Sequence, residues 1–490
     1  MYDIIIIGGG IVGTSIARRL SRYKLSILLL EKSNDVSMGS TKANSAIVHG
    51  GYAESHDKLK GRLCYKGRMQ YEQLNKELNF GFSKIGSLVI SFDEKDLDEL
   101  EKLKENGEKN GLRDLKIISH DEIMKMNPAI NPEVKYALYC EGAGVTSPYE
   151  MAIAMMENAI HNGVELKLNT EVSSIEKNNE ELFQVKTADG NIYGSKIVIN
   201  CAGINSGEIS RMVGIDDFTV HPRTGEYILF ARGTGSLLNN VIFQMPTKKG
   251  KGILVTPTYH GNLLIGPDAI DENSADLGTN EERLINIYNQ ALKTTKGLQP
   301  SKFIRSFAGA RAVASTDDFI IENSKQVPGF IQCAGIQSPG LTSAPAIADL
   351  VTQIIENEIM ELEENPDYDP YRKPIITKKE LMPPKDAMKY VNMESGDERM
   401  VCRCEQVTEA TIRDALTREI PVTTIDGVKR RTRAGMGYCQ GTFCGPRVKA
   451  FMEKVLGKPV DDGTDVKHSG INRVEKSQFN EYLKKISEKQ

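Results

Sequence analysis

Four cysteines near the C-terminal end have the spacing of a metal-cluster ligand set. Cys402 and Cys404 are separated by one residue, and Cys439 and Cys444 follow after 34 intervening residues. Thiolates in groups of four hold iron–sulfur clusters. Structural zinc sites more often use pairs separated by two residues, so zinc is the less favoured candidate. The other cysteines stand singly in apolar or mixed sequence, where we expect reduced core thiols: Cys64, Cys140, Cys201 and Cys333.

A glycine-rich turn lies at the start of the chain. Residues 2–7 predict a strand, residues 11–20 an amphipathic helix, and residues 25–30 a second strand. Glycines with G-x-G-x-x-G spacing separate the first strand from the helix: Gly8, Gly10 and Gly13. They permit a tight turn, a close approach of backbone to a pyrophosphate, and close packing of helix on strand. Glu31 ends the second strand, where its carboxylate is suited to accept hydrogen bonds from ribose hydroxyls. The unit therefore predicts dinucleotide binding, with a merely structural turn as the alternative.

Three further segments resemble the glycine/D-amino-acid oxidase superfamily of flavoproteins, a resemblance that extends over residues 1–360. The segments are 170–172, 198–203 and 333–342. The resemblance implies FAD rather than NAD, with adenine packed against the first segment and the flavin pyrimidine ring near the third. Beyond the glycine turn and Glu31, the residues that it assigns to the cofactor are Thr41, Asn44, Ser45, Val172, Gly203, Gly335, Gly340, Leu341 and Thr342.

The segment 40–52, STKANSAIVHGGY, resembles the loop beneath the flavin ring in soluble glycerol-3-phosphate oxidases and L-2-hydroxyglutarate dehydrogenases. Oxidation of a secondary alcohol needs a base for the hydroxyl proton while hydride passes to the flavin. A histidine, with an ordinary pKa of about 6.5, suits that task at neutral pH. We therefore predict that His49 is the catalytic base, with a structural histidine as the alternative. The remaining histidines lack this context and are interpreted as structural, His260 with the least certainty.

An anionic substrate needs cations in its pocket, supplied best by guanidinium or ammonium groups. By the same resemblance, Arg311 in the segment FAGAR is the catalytic arginine beside the substrate, and Lys251 in KKGKG is the lysine offered to a phosphate. A structural ion pair is the alternative for Arg311, and a solvated loop is the alternative for Lys251. Ser338 is expected to hydrogen-bond the substrate from the turn beside the flavin, although Gln337 is equally placed by sequence.

The cysteine segment resembles the bacterioferritin-associated ferredoxin-like module. This resemblance implies a [2Fe-2S] cluster on all four clustered cysteines, and zinc remains the alternative. Such a cluster carries net negative charge. Six neighbouring arginines could offset that charge, and the alternative is that they only make a surface loop soluble: Arg399, Arg403, Arg430, Arg431, Arg433 and Arg447. A flavin accepts two electrons as hydride, whereas a cluster passes them on singly. The module therefore favours a dehydrogenase over an oxygen-consuming oxidase, and it predicts an electron-acceptor protein or partner subunit.

The order of elements predicts an α/β, Rossmann-like FAD-binding domain interrupted by an α+β substrate domain with an antiparallel sheet. A helix at 148–162 and strands that end at residue 201 return the chain to the first sheet, and alternating apolar residues between 219 and 304 indicate antiparallel strands. The predicted divisions are FAD-binding residues 1–80, 148–215 and 305–360, substrate-domain residues 81–147 and 216–304, a linker at 361–396, a [2Fe-2S]-binding domain at 397–456 and a tail at 457–490.

Length and composition exclude several classes of protein. The 490 residues exceed the roughly 250–300 residues at which a single core stops growing, so two or three domains are expected. A formal net charge of -4 gives no general attraction to nucleic acid. The apolar run 4–7 is too short for a signal sequence or for the about 20 residues of a membrane span. We expect a cytoplasmic protein that reaches a membrane surface only through a partner, if at all.

These features together predict oxidation of glycerol 3-phosphate to dihydroxyacetone phosphate. A 2-hydroxy acid such as L-2-hydroxyglutarate requires the same apparatus, and only Lys251 and the fused cluster module favour the phosphate. An amino-acid oxidase is disfavoured, because amine oxidation does not need the histidine loop. An electron-relay subunit without a substrate of its own is the alternative from a different class.

Overall fold

The computed structural model describes residues 1–245, 252–272, 274–376, 381–460 and 471–487. The strands in these ranges are β1 (Tyr2–Ile7), β2 (Ile27–Leu30), β3 (Ile47–Val48), β4 (Phe82–Lys84), β5 (Ser87–Ser91), β6 (Leu115–Ser119), β7 (Tyr136–Cys140), β8 (Gly144–Thr146), β9 (Glu165–Lys167), β10 (Val172–Lys177), β11 (Phe183–Thr187), β12 (Ile192–Asn200), β13 (Val220–Phe230), β14 (Val241–Gln244), β15 (Leu254–Pro257), β16 (Leu263–Gly266), β17 (Ile270–Asp271), β18 (Phe303–Ala314), β19 (Ile320–Asn323), β20 (Phe330–Ala334), β21 (Met400–Cys402) and β22 (Val407–Thr408). The α-helices are α1 (Ile11–Leu20), α2 (Leu59–Arg68), α3 (Tyr71–Leu78), α4 (Leu97–Lys109), α5 (His120–Met126), α6 (Pro148–His161), α7 (Ser206–Met212), α8 (Glu281–Ala291), α9 (Gly340–Glu358), α10 (Pro384–Val391), α11 (Glu409–Leu416), α12 (Ile425–Thr432), α13 (Gly445–Leu456) and α14 (Lys476–Ser487). None of the described helices is long and apolar enough to span a membrane.

The first sheet is built around the apolar strand at the start of the chain. Its order is β10-β11-β12-β1-β2-β9, and β1 pairs in parallel with both β2 and β12. The second half of β12 also pairs with β20, and β19 forms an antiparallel edge. Helices α1, α6 and α9 cover one face, while α7 packs on the other. Because both faces are covered, β1 and β2 are apolar along most of their length, as parallel strands usually are.

The predicted glycine turn joins β1 to α1. A Cβ atom at Gly8 would overlap the carbonyl oxygen of Cys201, and one at Gly13 would overlap the carbonyl oxygen of Gly8. Gly8 also has a φ of +108°, a conformation that L side chains rarely adopt. The first and third glycines therefore bring α1 against the ends of β1 and β12, as the sequence predicts.

The second sheet is mixed and mostly antiparallel. Its order is β17-β13-β16-β15-β14-β5-β7-β6, with β18 on the other edge of β13. The pair β5–β14 is parallel, and it joins the strands of the two inserted segments into one sheet. The predicted boundary between residues 304 and 305 falls inside β18, which runs from Phe303 to Ala314 in this sheet. The chain therefore returns to the first sheet later than predicted, at β19.

The first part of the segment predicted as a linker, residues 361–376, is packed on the first domain. The backbone N–H of Arg372 donates to the carbonyl oxygen of Glu77, and its guanidinium pairs with the buried carboxylate of Glu157 at 2.6 Å. Glu364 forms a β-bridge with Tyr23. Residues 361–376 therefore have a defined position on the surface of the first domain. Backbone hydrogen bonds and an ion pair hold them there, although their sequence lacks the apolar periodicity of a helix or strand.

The tail, which carries no recognisable motif, completes the core of the second domain. Phe479 of α14 is fully buried, and its ring stacks on that of Phe303 with centroids 4.9 Å apart. The ring of Tyr288 packs edge-on against that of Phe479, with ring centroids 5.8 Å apart. The C-terminal helix is thus an integral part of the second domain, after a small module (residues 400–456) that has its own apolar core.

Replacing Phe479 with alanine should lower the free energy of unfolding by about 3–5 kcal/mol, the usual cost of emptying a buried aromatic site. Urea denaturation followed by fluorescence and circular dichroism measures this change. Phe443 is 78% exposed, so Phe443→Ala is the matched control and should change stability by less than about 0.5 kcal/mol. Equal effects of the two substitutions would show that α14 does not contribute to the core.

Candidate functional site

A cavity of about 1260 Å³ lies between the two large sheets and the C-terminal module. It opens where the glycine turn and the carboxyl end of β2 face strands β13 and β18. Most residues that the sequence assigns to a site line it: Gly8, Gly10, Glu31, Thr41, Asn44, Ser45, His49, Val172, Gly203, Arg311, Ser338, Gly340 and Leu341. The fold therefore brings together residues that are up to 333 positions apart in the chain.

Three predicted cofactor residues lie behind the cavity wall instead of in it: Gly13, Gly335 and Thr342. Gly13 packs α1 on the turn. Gly335 has a φ of +66°, and a Cβ there would lie 2.5 Å from that of Ala314. The Thr342 hydroxyl accepts a hydrogen bond of 2.9 Å from the backbone N–H of His49. These three residues support the wall. The predicted substrate residue Lys251 lies outside the described residues.

The turn end of the cavity has the shape and donors expected for a dinucleotide. Glu31 accepts hydrogen bonds from the N–H groups of Gly9 at 2.7 Å and Ser33 at 2.8 Å, which fixes its carboxylate at the cavity edge. The hydroxyl oxygen of Thr41 accepts one from the N–H of Ile11, in the first turn of α1. A Cβ at Gly10 would meet only that hydroxyl, at 3.4 Å, so the backbone there is open. The partial positive charge of the α1 N-terminus is thereby accessible to a diphosphate.

The loop from residue 40 to His49 is held against β18. Asn44 donates from its side chain to the carbonyl oxygen of Thr41 at 2.8 Å and accepts from the N–H of Ala46 at 2.8 Å. A Cβ at Gly309 would overlap the carbonyl oxygen of Ala43, so the small residues in the middle of β18 are what allow this loop to lie close to the strand. The loop conformation is therefore fixed by its own hydrogen bonds and by that contact.

His49 ends this loop and faces the cavity from a half-buried position. Its ring stacks on Phe243 of β14, with centroids 5.8 Å apart and planes inclined by 26°. Its backbone is tied to Thr342 at the start of α9. Contacts from both large domains thus set the orientation of the imidazole.

Arg311 reaches the cavity from β18, where it lies opposite Arg223 of β13. Within the described residues, Arg223 pairs with Asp271 at 2.6 Å, whereas Arg311 has no carboxylate within ion-pair distance. A structural ion pair, the alternative for this residue, is therefore absent from that part of the chain. Ser338 and Gln337 both line the cavity, so the geometry does not separate them.

Two further residues line the cavity that the sequence did not assign to the site. Tyr227 stacks on Phe307 with ring centroids 4.7 Å apart, and its hydroxyl lies 3.3 Å from that of Ser45. His260 places Nε2 3.0 Å from Oε1 of Glu150, and burial lowers the pKa of its imidazole. His260 was interpreted as structural, since nothing in its local sequence indicates that the second sheet turns it toward the cavity.

The four C-terminal cysteines form two thiol pairs at one edge of the module. Cys402 is in hydrogen-bond contact with Cys444, and Cys404 with Cys439. The contact with the Cys444 thiol lowers the pKa of Cys402. No set of three or more possible ligand side chains in the described residues surrounds a single metal ion. Two cysteine pairs suit a two-iron cluster, in which each iron takes two thiolates.

Buried ion pairs dock the module on the first domain, beside the glycine-turn end of the cavity. Asp35, in the loop after β2, accepts from Arg430 at 2.7 Å and from Arg431 at 2.7 and 2.9 Å. All three side chains are at most 4% exposed. These two arginines were candidates for offsetting the charge of the cluster, but their partner is a carboxylate of the first domain.

A second contact joins the cysteine loop to the second sheet. Glu405, next to Cys404, pairs with Arg433 at 2.9 Å and with Arg232 at 3.0 Å. Arg433 also donates to the side-chain oxygen of Asn262 at 3.2 Å. A third predicted charge-offsetting arginine is therefore committed to domain docking, and the cysteine loop has a fixed place relative to the cavity.

Comparisons with known proteins agree with this geometry. The family model "FAD dependent oxidoreductase" matches residues 3–354, and the "BFD-like [2Fe-2S] binding domain" matches residues 400–454. A "Glycerol 3-phosphate dehydrogenase" of Caloramator mitchellensis is 44% identical over 93% of this chain and 95% of its own length. The dithionite-reduced L-alpha-glycerophosphate oxidase of Mycoplasma pneumoniae with FAD bound superposes with a TM-score of 0.73, at 30% identity, over 76% of this chain and 99% of that one. The human mitochondrial "L-2-hydroxyglutarate dehydrogenase" is more distant, at 28% identity over 55% of this chain and 61% of its own length.

These matches confirm the predicted fold class, FAD as the dinucleotide, and a [2Fe-2S] cluster rather than zinc at the cysteines. The glycine turn with Glu31 and the paired thiols are the structural features that fit the two cofactors. The chain belongs to the FAD dependent oxidoreductase family and carries a [2Fe-2S]-binding domain at its C-terminal end.

Proposed function

We propose that this protein oxidises sn-glycerol 3-phosphate to dihydroxyacetone phosphate and passes the electrons through its [2Fe-2S] domain to an acceptor protein. The observation that carries the proposal is the meeting of His49 and Arg311 in the cavity that the dinucleotide turn also lines. A base and a cation are what oxidation of an anionic secondary alcohol requires. The 44% identical relative named as a glycerol 3-phosphate dehydrogenase, which covers nearly the whole chain, supports the choice of substrate.

In this proposal the side chains of the cavity bind, orient and deprotonate the alcohol. Arg311 pairs with the anionic substrate, and Ser338 donates or accepts a hydrogen bond from the turn before α9. An imidazole nitrogen of His49 takes the proton of the C2 hydroxyl, while Phe243 and Thr342 hold the ring and its backbone. Bound FAD supplies the acceptor for the hydride that leaves C2. Loss of one proton and one hydride converts the alcohol to the ketone.

The position of the module supports a dehydrogenase that delivers electrons to a separate protein. Cys402 and Cys444 are buried against the module core, whereas Cys404 is exposed. The attachments at Asp35 and Glu405 hold the module beside the cavity that the dinucleotide turn lines. A [2Fe-2S] cluster held by the four cysteines would take electrons from the flavin one at a time, and the exposed Cys404 would leave it accessible to an acceptor protein.

Anaerobic stopped-flow absorbance distinguishes the proposed substrate from its rivals. Purified holoenzyme is mixed separately with glycerol 3-phosphate, L-2-hydroxyglutarate and amino acids. We expect rapid flavin bleaching by glycerol 3-phosphate alone. Bleaching by L-2-hydroxyglutarate instead would identify a 2-hydroxy-acid dehydrogenase, and bleaching by none of them would favour an electron-relay subunit.

Replacing His49 with glutamine should slow flavin reduction by glycerol 3-phosphate about 10²–10⁴-fold, the usual contribution of a positioned general base. FAD content should be unchanged, because the ring does not form the dinucleotide turn. His161 has a side chain that is 53% exposed, so His161→Gln is the matched control and should reduce its flavin at the wild-type rate. A His49 variant with the wild-type rate at every pH would rule out its role as the base.

Replacing Cys404 with serine should abolish cluster absorption while anaerobic flavin reduction by substrate continues at the wild-type rate. The reason is that the module has its own apolar core, separate from that of the first domain. Reduction of an added acceptor protein should then be lost. Loss of FAD from this variant would contradict the separation of the two redox sites.

A further inference from the structure

Tyr227 belongs to the row of β13 side chains that faces the cavity. Successive side chains of a strand point to opposite faces of its sheet. Tyr227 and Leu229 accordingly line the cavity, whereas Ile228 between them belongs to the core of the second domain. Tyr227 is only 3% exposed, so its hydroxyl needs a polar partner within the wall.

Two neighbours fix the direction of the Tyr227 ring. On β18, Phe307 lies opposite it in the strand pairing, and the two rings stack with centroids 4.7 Å apart and planes inclined by 11°. On β16, a Cβ atom at Gly266 would lie 3.3 Å from the Tyr227 ring, so the missing side chain makes room for the tyrosine. The ring is therefore packed in one orientation, and the hydroxyl at its end has a defined position.

The Tyr227 hydroxyl contacts the loop that leads to His49. It lies 3.3 Å from the hydroxyl of Ser45, and either group can donate the hydrogen. A phenylalanine would stack on Phe307 equally well, so the contact with Ser45 is what the tyrosine hydroxyl adds. This contact joins the loop of the first domain to the second sheet.

The residue after Ser45 has an uncommon backbone conformation. Ala46 has a φ of +59°, in the left-handed region that residues other than glycine rarely adopt. Its N–H donates to Oδ1 of Asn44 at 2.8 Å, and its carbonyl oxygen accepts from the N–H of Thr146 at 2.9 Å. Such a conformation persists only where the surrounding structure holds it. The chain runs from this turn through β3 directly to His49.

We propose that Tyr227 is a positioning residue for His49. Its hydroxyl holds Ser45, and thereby the left-handed turn at Ala46, in the conformation that directs the imidazole into the cavity. This role rests on the function proposed above, in which that imidazole takes the proton of the C2 hydroxyl. A base must lie within hydrogen-bond reach of the proton that it takes, so a small displacement of the loop slows that step.

Tyr227→Phe removes the hydroxyl and keeps the stacked ring. At saturating glycerol 3-phosphate, we expect anaerobic flavin reduction to slow about tenfold, less than the roughly 100-fold that a displacement of about 1 Å can cost. The Kd of the substrate should change less than about twofold, because Tyr227 acts through the loop and not on the bound substrate. Tyr139 of β7 lies in the same sheet but not in the cavity wall, so Tyr139→Phe is the matched control and should reduce its flavin at the wild-type rate.

A double-mutant cycle with His49 separates positioning from direct action on the substrate. In the His49→Gln background the base is already absent, so Tyr227→Phe should slow flavin reduction no further. An equal loss in both backgrounds would overturn the proposal, since the hydroxyl would then act on the substrate or the flavin itself.

Relief of the strain at Ala46 tests whether the turn transmits the effect. Glycine adopts a left-handed conformation without steric cost, so Ala46→Gly should restore part of the rate that Tyr227→Phe loses. A merely structural loss of packing at Tyr227 would not respond to this change. A double variant as slow as Tyr227→Phe alone would contradict the role of the turn.

Hydrogen–deuterium exchange of the holoenzyme without substrate tests the loop independently of the reaction. In Tyr227→Phe, the amides of Ala46 and Thr146 should exchange faster than in the wild type, because their hydrogen bonds belong to the turn. Tyr139→Phe should leave both exchange rates unchanged. Unchanged exchange in Tyr227→Phe would overturn the proposal whatever the substrate is. Faster exchange in an enzyme whose flavin glycerol 3-phosphate does not reduce would support the hold on the loop and contradict only the proposed substrate.

Discussion

The ion pair that Asp35 forms with Arg430 and Arg431 is the contact on which the joint action of the two redox domains depends. Burial acts to raise the pKa of Asp35, but the two guanidinium groups outweigh it and hold that pKa below its ordinary value. The carboxylate is therefore charged at neutral pH, and the contact is lost only as pH falls through the lowered pKa. A buried pair of this kind adds little net stability, since both partners lose hydration, but breaking it leaves a buried charge uncompensated. We infer that its main effect is to fix the position of the module.

That position determines what the cavity can do. Asp35 lies in the loop that begins with Glu31 after β2, so the loop that serves the dinucleotide also holds the cluster domain. Glu405 makes the second attachment, to Arg232 of the second domain, directly beside a cluster ligand. His49 and Arg311, the residues proposed to act on the substrate, line the same cavity. These attachments therefore hold the substrate-binding wall, the dinucleotide turn and the cysteine loop in fixed positions relative to one another.

The sequence predicts those parts of the site whose physics is local. The glycine turn follows from steric needs within a few residues, and the position of His49 follows from a loop with a recognisable pattern. The prediction for Arg311 rests on a segment with a recognisable pattern of the same kind. The docking of Asp35 by Arg430 was not predicted, because the partners are 395 positions apart and each is an ordinary charged residue by itself. The predicted domain boundary between residues 304 and 305 was misplaced, because it falls inside β18. The small residues in the middle of this strand allow the loop near Ala43 to lie close to it, and they do not show the apolar alternation typical of a strand.

Electron paramagnetic resonance of the freeze-quenched enzyme tests the central claim most directly, namely that substrate electrons reach the cluster through the flavin. Holoenzyme is mixed anaerobically with glycerol 3-phosphate and frozen at successive times. The account predicts that flavin bleaching precedes the signal of a reduced [2Fe-2S] cluster, which then grows at the expense of reduced flavin. A flavin that is fully bleached by substrate beside a cluster that stays oxidised and silent would contradict it.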